Sequence, residues 1–544
     1  MSVRLWKRQP DHIVDQGVSA SAAPGLLGLV PVLALLAAGC SSTDRSAMLG
    51  AENVFGSDAG GHDGAGPNDG DSPDAAETGA TNGLAACSRG AAPDIPQKSP
   101  RVLLLAPASS DPASIAAHLQ GLLAGDPAFD APEVKAQGIG TTQGASLMSF
   151  WYAPEGRAQR LVVLDEPWTW VVLLDDREIA LNYPELYFEG VRTVGCRALA
   201  GGAGVSVLMT WSPATPDSAA RGEIVYRVAN GNALPVVPAG YAWDAYRGEA
   251  GQPSVPSEAF AAAASLYTAI TGRSAATASY QPSGLPSSVA AEIASAAQQA
   301  DQTESAATHG TAPYASVVQL HTMPASKELL FMDSGTSSEA IWQERMNEIV
   351  SRLGMTPKPV AIGSTNESKT FDDTCLANAL PSFQQGQYSI LFARDYSVGA
   401  DAIRAAGGQT ALQVQVWDRH ADAIPADGAA AVEMMEPLSK TKRDLASQLG
   451  LAWIPYHIMF ARLKTERPSV ALTSDGTHAT YPVGYGLAAM SVISRTSLQV
   501  PTDGLDQDTR AAVRLADETI RQLSALSQTG IPVPDDPATR PKMR

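Results

Sequence analysis

The strongest constraint on this chain is that it repeats itself. Val102–Ser110 (VLLLAPASS) lies without gaps on Glu328–Thr336 (ELLFMDSGT), and the match runs on to Ile115 and Ile341. Both stretches read as a short buried strand, a turn of small residues and an amphipathic helix. Further anchors follow in the same order. Trp170–Leu174 pairs with Tyr388–Phe392, Val207–Trp211 with Val414–Trp417, the small-residue helix at 260–274 with that at 485–497, and Gly284-Leu285 with Gly504-Leu505. A chain that uses one unit twice must bury the same pattern twice. Strands alternating with helices at this spacing imply parallel sheets covered by helices on both faces. The expected fold is therefore α/β, with two tandem three-layer α/β/α domains at 99–302 and 327–528. A linker at 303–326 joins them, and 529–544 reads as a disordered tail.

What precedes the repeat reads as export and tethering. Arg4, Lys7 and Arg8 are followed by the apolar run Gly25–Ala38, 14 residues long, which suits a signal peptide better than a spanning helix. Leu36-Ala37-Ala38-Gly39-Cys40 resembles the lipobox of bacterial lipoproteins, departing from it in Ala37, where leucine is usual. The resemblance implies removal of 1–39, acylation of Cys40 and a lipid-anchored place in the bacterial cell envelope, periplasmic or cell-surface. Residues 40–98 are rich in Gly, Ala, Asp, Ser and Pro and read as a disordered acidic tether with too little apolar surface to fold.

Charge narrows the partners. The chain of 544 residues carries 38 Lys+Arg against 56 Asp+Glu, a net charge of −18. The tether holds nine of those acids against Arg45, Arg89 and Lys98, so much of the excess describes the tether. No basic patch beyond Lys440, Lys442 and Arg443 offsets it, and nucleic acid is not an expected partner. The four cysteines, 40, 87, 196 and 375, lack C-x-x-C spacing. Cys196 and Cys375 either pair across the two domains or act as small apolar packers. Trp151, Tyr152, Trp168 and Trp170 either stack on sugar rings or belong to a core, and the strand-like setting favours the core.

In open α/β sheets, ligands meet the C-terminal ends of strands. Asp333-Ser334-Gly335 directly follows a strand and precedes a helix, where N–H groups are available to an oxyanion. Asp475 and His478, three residues apart before the helix near Val483, supply a base and the carboxylate that fixes its tautomer. The order of these blocks resembles the SGNH, or GDSL-type, hydrolase family over residues 327–500. By that resemblance the domains are flavodoxin-like and SGNH-type. Ser334 is the nucleophile, Asp475 and His478 complete the triad, and Gly363 gives an oxyanion N–H. Two departures stand out. Met332 replaces the first-block glycine, and Ala393-Arg394-Asp395 stands where the third-block asparagine belongs, leaving Asn366 or Arg394 as a substitute donor. In the first copy Ala108 occupies the serine position and Ala250–Pro253 replaces Asp475–His478, so that copy is expected to be non-catalytic. Ser109 or Ser110 lies close by, with no histidine between 119 and 308 to serve it. The implied activity is a serine esterase on an acylated glycan or small ester, possible as a glycan O-acetylesterase, with no cofactor or metal. The alternative is a non-catalytic binding or scaffold lipoprotein.

Overall fold

The computed structural model describes Cys87, Gly90–Ala91, 98–140, 146–152, 157–211, 218–249, 255–304, 308–309, 328–333, 337–361, 389–392, 411–413, 452–474, 479–527 and 531–532. All of them lie in one of the chain's two compact units, Asp63–Arg544.

The first sheet grows from β1 (Arg101–Ala106), whose sequence RVLLLA supplies side chains for two buried faces. It pairs in parallel with β2 (Glu133–Gly138) on one side and β3 (Trp170–Leu173) on the other. Then come β4 (Gly204–Leu208) and β5 (Val236–Val237), giving the order β2-β1-β3-β4-β5. This doubly wound order is the flavodoxin-like one, with its topological switch between β1 and β3.

Alternation along the strands sorts the core into two layers. Val102, Leu104, Val172 and Leu208 meet α1 (Pro112–Ala124), α7 (Ala239–Glu249), α8 (Val255–Thr271) and α9 (Ser287–Glu304). Leu103, Leu105, Val171, Val205 and Val207 face the opposite way, onto α2 (Leu147–Tyr152), α5 (Pro184–Ala200) and α6 (Ser218–Gly231). Period-2 side-chain direction makes both layers obligatory for such apolar strands. Two short helices, α3 (Arg157–Leu161) and α4 (Arg177–Asn182), fill the connections.

The second sheet repeats that order. β7 (Glu328–Asp333) pairs in parallel with β8 (Thr356–Ala361) and β9 (Ser389–Phe392), and β10 (Ala411–Gln413) and β11 (Ala452–Ile454) continue the sheet. The order β8-β7-β9-β10-β11 is the first sheet's order again. Its helices are α10 (Ser337–Arg352), α11 (Tyr456–Glu466), α12 (Tyr481–Thr496) and α13 (Gln507–Leu523). The repeated Gly-Leu pairs occupy the same turn. Gly284 and Gly504 have φ of 81° and 75°, Leu285 and Leu505 are buried, and α9 and α13 begin shortly afterwards. Glycine is the residue that enters this left-handed region without a Cβ clash. A short antiparallel pair, β6 (Thr308–His309) with β12 (Ile531–Pro532), links the segment after α9 to the chain's end.

The two halves share one apolar layer, in which α2, α5 and α6 join α11, α12 and α13. Within it lies a charged cluster. Glu189 of α5 is fully buried. Its Oε1 accepts from Tyr152 Oη at 2.5 Å, Arg192 Nη2 at 2.7 Å and Arg462 Nε at 3.1 Å. Its Oε2 accepts from Arg192 Nε at 2.9 Å and Arg462 Nη2 at 2.5 Å. Arg462, 5% exposed, also donates to Thr519 Oγ1 at 3.1 Å and Gln522 Oε1 at 2.8 Å. Burial by itself pushes the Glu189 carboxyl up, but the charges and hydrogen bonds of Arg192 and Arg462 outweigh it and hold the group well below the usual carboxylate range.

Removing one member of a buried ion pair strands the other charge, at about 3–5 kcal/mol. Glu189→Gln is therefore expected to lower the unfolding free energy by about that much at neutral pH, measured by urea denaturation. Because the folded carboxyl titrates below the unfolded one, its stabilisation is complete above the ordinary glutamate range and is lost as pH falls through the folded value. The gap between wild type and Glu189→Gln is thus expected to narrow on acidification below about pH 4. A gap constant down to pH 2 contradicts the assignment.

Candidate active site

The C-terminal edges of the two sheets are where the topology places chemistry, and the first sheet's edge is described in side-chain detail. β1 ends at Ala106, and Pro107 leads into a short 3-10 turn, Ala108–Ser110. Asp111 takes a left-handed conformation (φ 48°) and caps α1 by accepting from Ser114 N at 3.4 Å. Across the switch point, β3 is followed by Leu174, Asp175 and Asp176. Ser109 Oγ donates to Asp176 Oδ2 at 3.1 Å, joining the two diverging loops. Asp175, 4% exposed, accepts from Leu147 N at 3.2 Å and from Asp176 N at 2.8 Å. Burial, followed by the charge of Asp175, pushes the Tyr187 phenol up. Beyond β4, Arg221 Nη1 donates to the carbonyls of Thr210 at 3.1 Å and Trp211 at 2.6 Å.

Chemically this edge is a set of braces. Ser109 meets a carboxylate, and a proton shuttle between a serine and a carboxylate needs an imidazole between them. His118, on α1, has its Nδ1 2.9 Å from Tyr280 Oη instead. Burial lowers the His118 pKa, the nearby Asp111 charge opposing it. Asp175, Asp176 and Arg221 had not been singled out in the sequence. The aspartates stand immediately after a strand, the same signal that picked out Ser334.

In the second sheet the expected residues Ser334, Gly363, Asn366, Arg394, Asp475 and His478 lie outside the described residues, as does Cys40. Their described neighbours are informative. Ser334 follows the last residue of β7, Gly363 comes two residues after β8, and Arg394 two residues after β9. These are three adjacent parallel strands, with β7 between the other two. Neighbouring strands lie about 4.8 Å apart. On either side of Asp475–His478 the chain closes on itself through a bridge between Thr473 and Ala479. Thr480 N donates to the Leu472 carbonyl at 3.2 Å, and Thr480 Oγ1 to the Ala471 carbonyl at 2.7 Å. The helix expected near Val483 is α12, opening at Tyr481.

Cys196 is neither a packer nor paired with Cys375: it forms a disulfide with Cys87, Cα–Cα 5.0 Å, across 109 residues of sequence. Gly90 N donates to the Leu199 carbonyl at 2.8 Å beside it, so Cys87 and Gly90 are tied to the end of α5. Cys375 lies outside the described residues. The aromatic candidates for sugar stacking are core. Tyr152, Trp168 and Trp170 are buried, Trp168 Nε1 donates to the Val163 carbonyl at 2.6 Å, and Trp170 Nε1 to Ser206 Oγ at 2.8 Å. Trp151 packs partly buried against the same layer.

A groove of about 530 Å³ between α11, α13 and residues 499–502 contains none of the expected site residues. Of its charged residues, Arg467 pairs with Asp508 at 2.9 Å and Arg514 with Glu466 and Glu518. Among the described residues no group of three or more His, Cys, Asp or Glu is placed to hold a metal ion, and no helix is long and apolar enough to cross a membrane.

No family model matches the sequence, and no curated protein matches it. Among solved structures, a DUF4886 family protein from Bacteroides uniformis is 14% identical, with a TM-score of 0.31, covering 38% of this chain and 95% of its own. A protein from Slackia heliotrinireducens, named as a candidate SGNH hydrolase, is 20% identical with a TM-score of 0.25, covering 31% of this chain and 97% of its own. Likenesses this slight carry no argument about activity, and the strand order read from the sheets describes the fold.

The disulfide yields a prediction. Closing a loop of 109 residues restricts the unfolded chain, and losing such a bond typically costs about 2–5 kcal/mol. Cys87→Ser and Cys196→Ser are expected to lower the urea midpoint equally, and reductant to bring wild type down to the same value. A midpoint indifferent to reductant argues against the bond.

Proposed function

We propose that this chain is an exported, lipid-anchored envelope protein whose C-terminal half is a serine ester hydrolase. One observation carries the reading: Ser334, Gly363 and Arg394 each follow the C-terminal end of one of three adjacent parallel strands. The Asp475–His478 segment is meanwhile bracketed by the Thr473–Ala479 bridge. In this reading Ser334 Oγ attacks an acyl carbonyl and passes its proton to His478, whose tautomer Asp475 fixes. The backbone N–H groups of Ser334 and Gly363 receive the oxyanion, with Arg394 or Asn366 in the place of the missing third-block asparagine. His478 then returns the proton to the departing alcohol, and water releases the acyl group by the reverse sequence. Acetyl or other short acyl groups on extracellular glycans are the preferred substrate class.

The Cys87–Cys196 disulfide supports export, since such bonds persist in oxidising compartments. It also sets where a soluble form should begin, because a start at about residue 98 removes Cys87. A form starting at residue 41 keeps the bond.

With that soluble form, hydrolysis of a short-chain chromogenic ester is expected to fall by at least roughly 10³-fold in Ser334→Ala. Arg394→Ala is expected to fall by roughly 10²–10³-fold if Arg394 is the oxyanion donor. Equal rates in wild type and Ser334→Ala, or no turnover on a broad acyl panel, remove the enzyme reading. The second reading, a binding lipoprotein, would then stand, favoured by the braced first edge around Ser109 and Asp176. For the anchor, Cys40→Ser in the full chain is expected to move the protein from the detergent phase to the aqueous phase on phase partitioning. An unchanged distribution contradicts lipidation.

A further inference from the structure

We infer that the N-terminal half is a permanent folding partner of the C-terminal half, so that the two sheets form one cooperative unit. This does not rest on the hydrolase reading.

Helix α11 depends on both halves for its cover. Eight consecutive residues, Tyr456–Leu463, are buried. A surface helix buries one stripe, whereas a helix buried all round has structure on every side. Part of that cover comes from the other half. On α5, Glu185 and Glu189 stand one turn apart and face α11, with Glu189 bonded to Arg462 and Glu185 Oε1 3.8 Å from His457 Nε2. Without α5, Arg462 and the apolar residues around it lose this cover.

The ties between the halves are distributed. Arg227 of α6, 2% exposed, donates from Nη1 to the carbonyl of Leu526, just past α13, at 3.1 Å. Gly231, at the end of α6, lies so close to Ala525 that an added Cβ would sit 3.0 Å from the Ala525 Cβ. The backbone closes the circuit through the β6–β12 pair, which joins the segment leaving the first half to the segment leaving the second. These contacts and the Glu189 cluster are carried by separate elements, α5 and α6 on one side and α11, α13 and the chain's end on the other.

A fully buried carboxylate with two arginines is tolerable only while all partners stay in place. Separation of the halves takes Arg462 away from Glu189 and opens an apolar layer to which helices of both halves contribute. An interface of that kind behaves as a core, in contrast to the polar contacts between domains that move independently.

The test uses the soluble chain with a single site-specific protease sequence inserted after residue 318 and cut after folding. The cut halves are expected to co-elute as one particle on size exclusion. They are also expected to lose amide-exchange protection in α5 and α12 at the same urea concentration, as the uncut chain does. Arg462→Glu is expected to abolish co-elution after cutting, whereas Arg514→Glu, which breaks two exposed pairs within one half, leaves it intact. Halves that separate while each keeps its helical circular dichroism, or α5 and α12 that unfold at different urea concentrations, overturn the inference. If Arg462→Glu does not fold, the cut wild-type chain decides the question by itself.

Discussion

A fully buried glutamate is the constraint on which the arrangement of this molecule turns. Glu189 has left water without giving up its charge, which is possible because two arginines and a tyrosine saturate both of its oxygens. Arg192 comes from its own helix, Tyr152 from a neighbouring helix of the same half, and Arg462 from the other half of the chain. The geometry therefore demands that α5 and α11 meet in one register. A slide of one helical turn moves Arg462 by about 5.4 Å, beyond hydrogen-bonding distance, and leaves buried charges without partners. Apolar packing tolerates such slips far better, because it is non-directional.

That register has consequences on both sides. On the N-terminal side it completes the cover of the first sheet. The layer built on Val102, Leu104 and Val172 is closed by helices of the same half, while the layer built on Leu103, Leu105 and Val171 continues into α11, α12 and α13. On the C-terminal side it seats α11, the helix that leads to the bridge between Thr473 and Ala479. The edge of the first sheet is braced by Ser109, Asp175, Asp176 and Arg221, and the polar groups found there hold loops together. The two sheets share one strand order: at the edge of the first the described contacts tie loops together, and the strand ends of the second are where the proposed chemistry is assigned.

Much of the fold was legible in the sequence. LLL in β1, the WVVL run of β3 and the small-residue helices carry their own periodicity, and the Gly-Leu pairs mark turns that require a left-handed residue. The preference for a core reading of the aromatics was legible too, since residues inside strand-like runs alternate into two covered faces. The cysteine pairing was not. Cys87 sits in a Gly- and Ala-rich stretch with no periodicity of its own, and nothing local ties it to the end of α5. Glu189 was equally opaque, because glutamates at i and i+4 on a helix, as Glu185 and Glu189 are, normally mark the solvated face.

By itself, then, the sequence determined the elements: apolar strands, amphipathic helices and their turns, used twice in the same order, with candidate chemistry placed just after strands. Each of these follows from interactions between residues a few positions apart, and local pattern records such interactions directly. Tertiary structure alone decided that Cys196 joins Cys87, that Ser109 meets Asp176, and that Glu189 is answered by Arg462, 273 positions away. Those partners are chosen by where whole helices and sheets come to rest, and the burial that makes each contact strong exists only once they have.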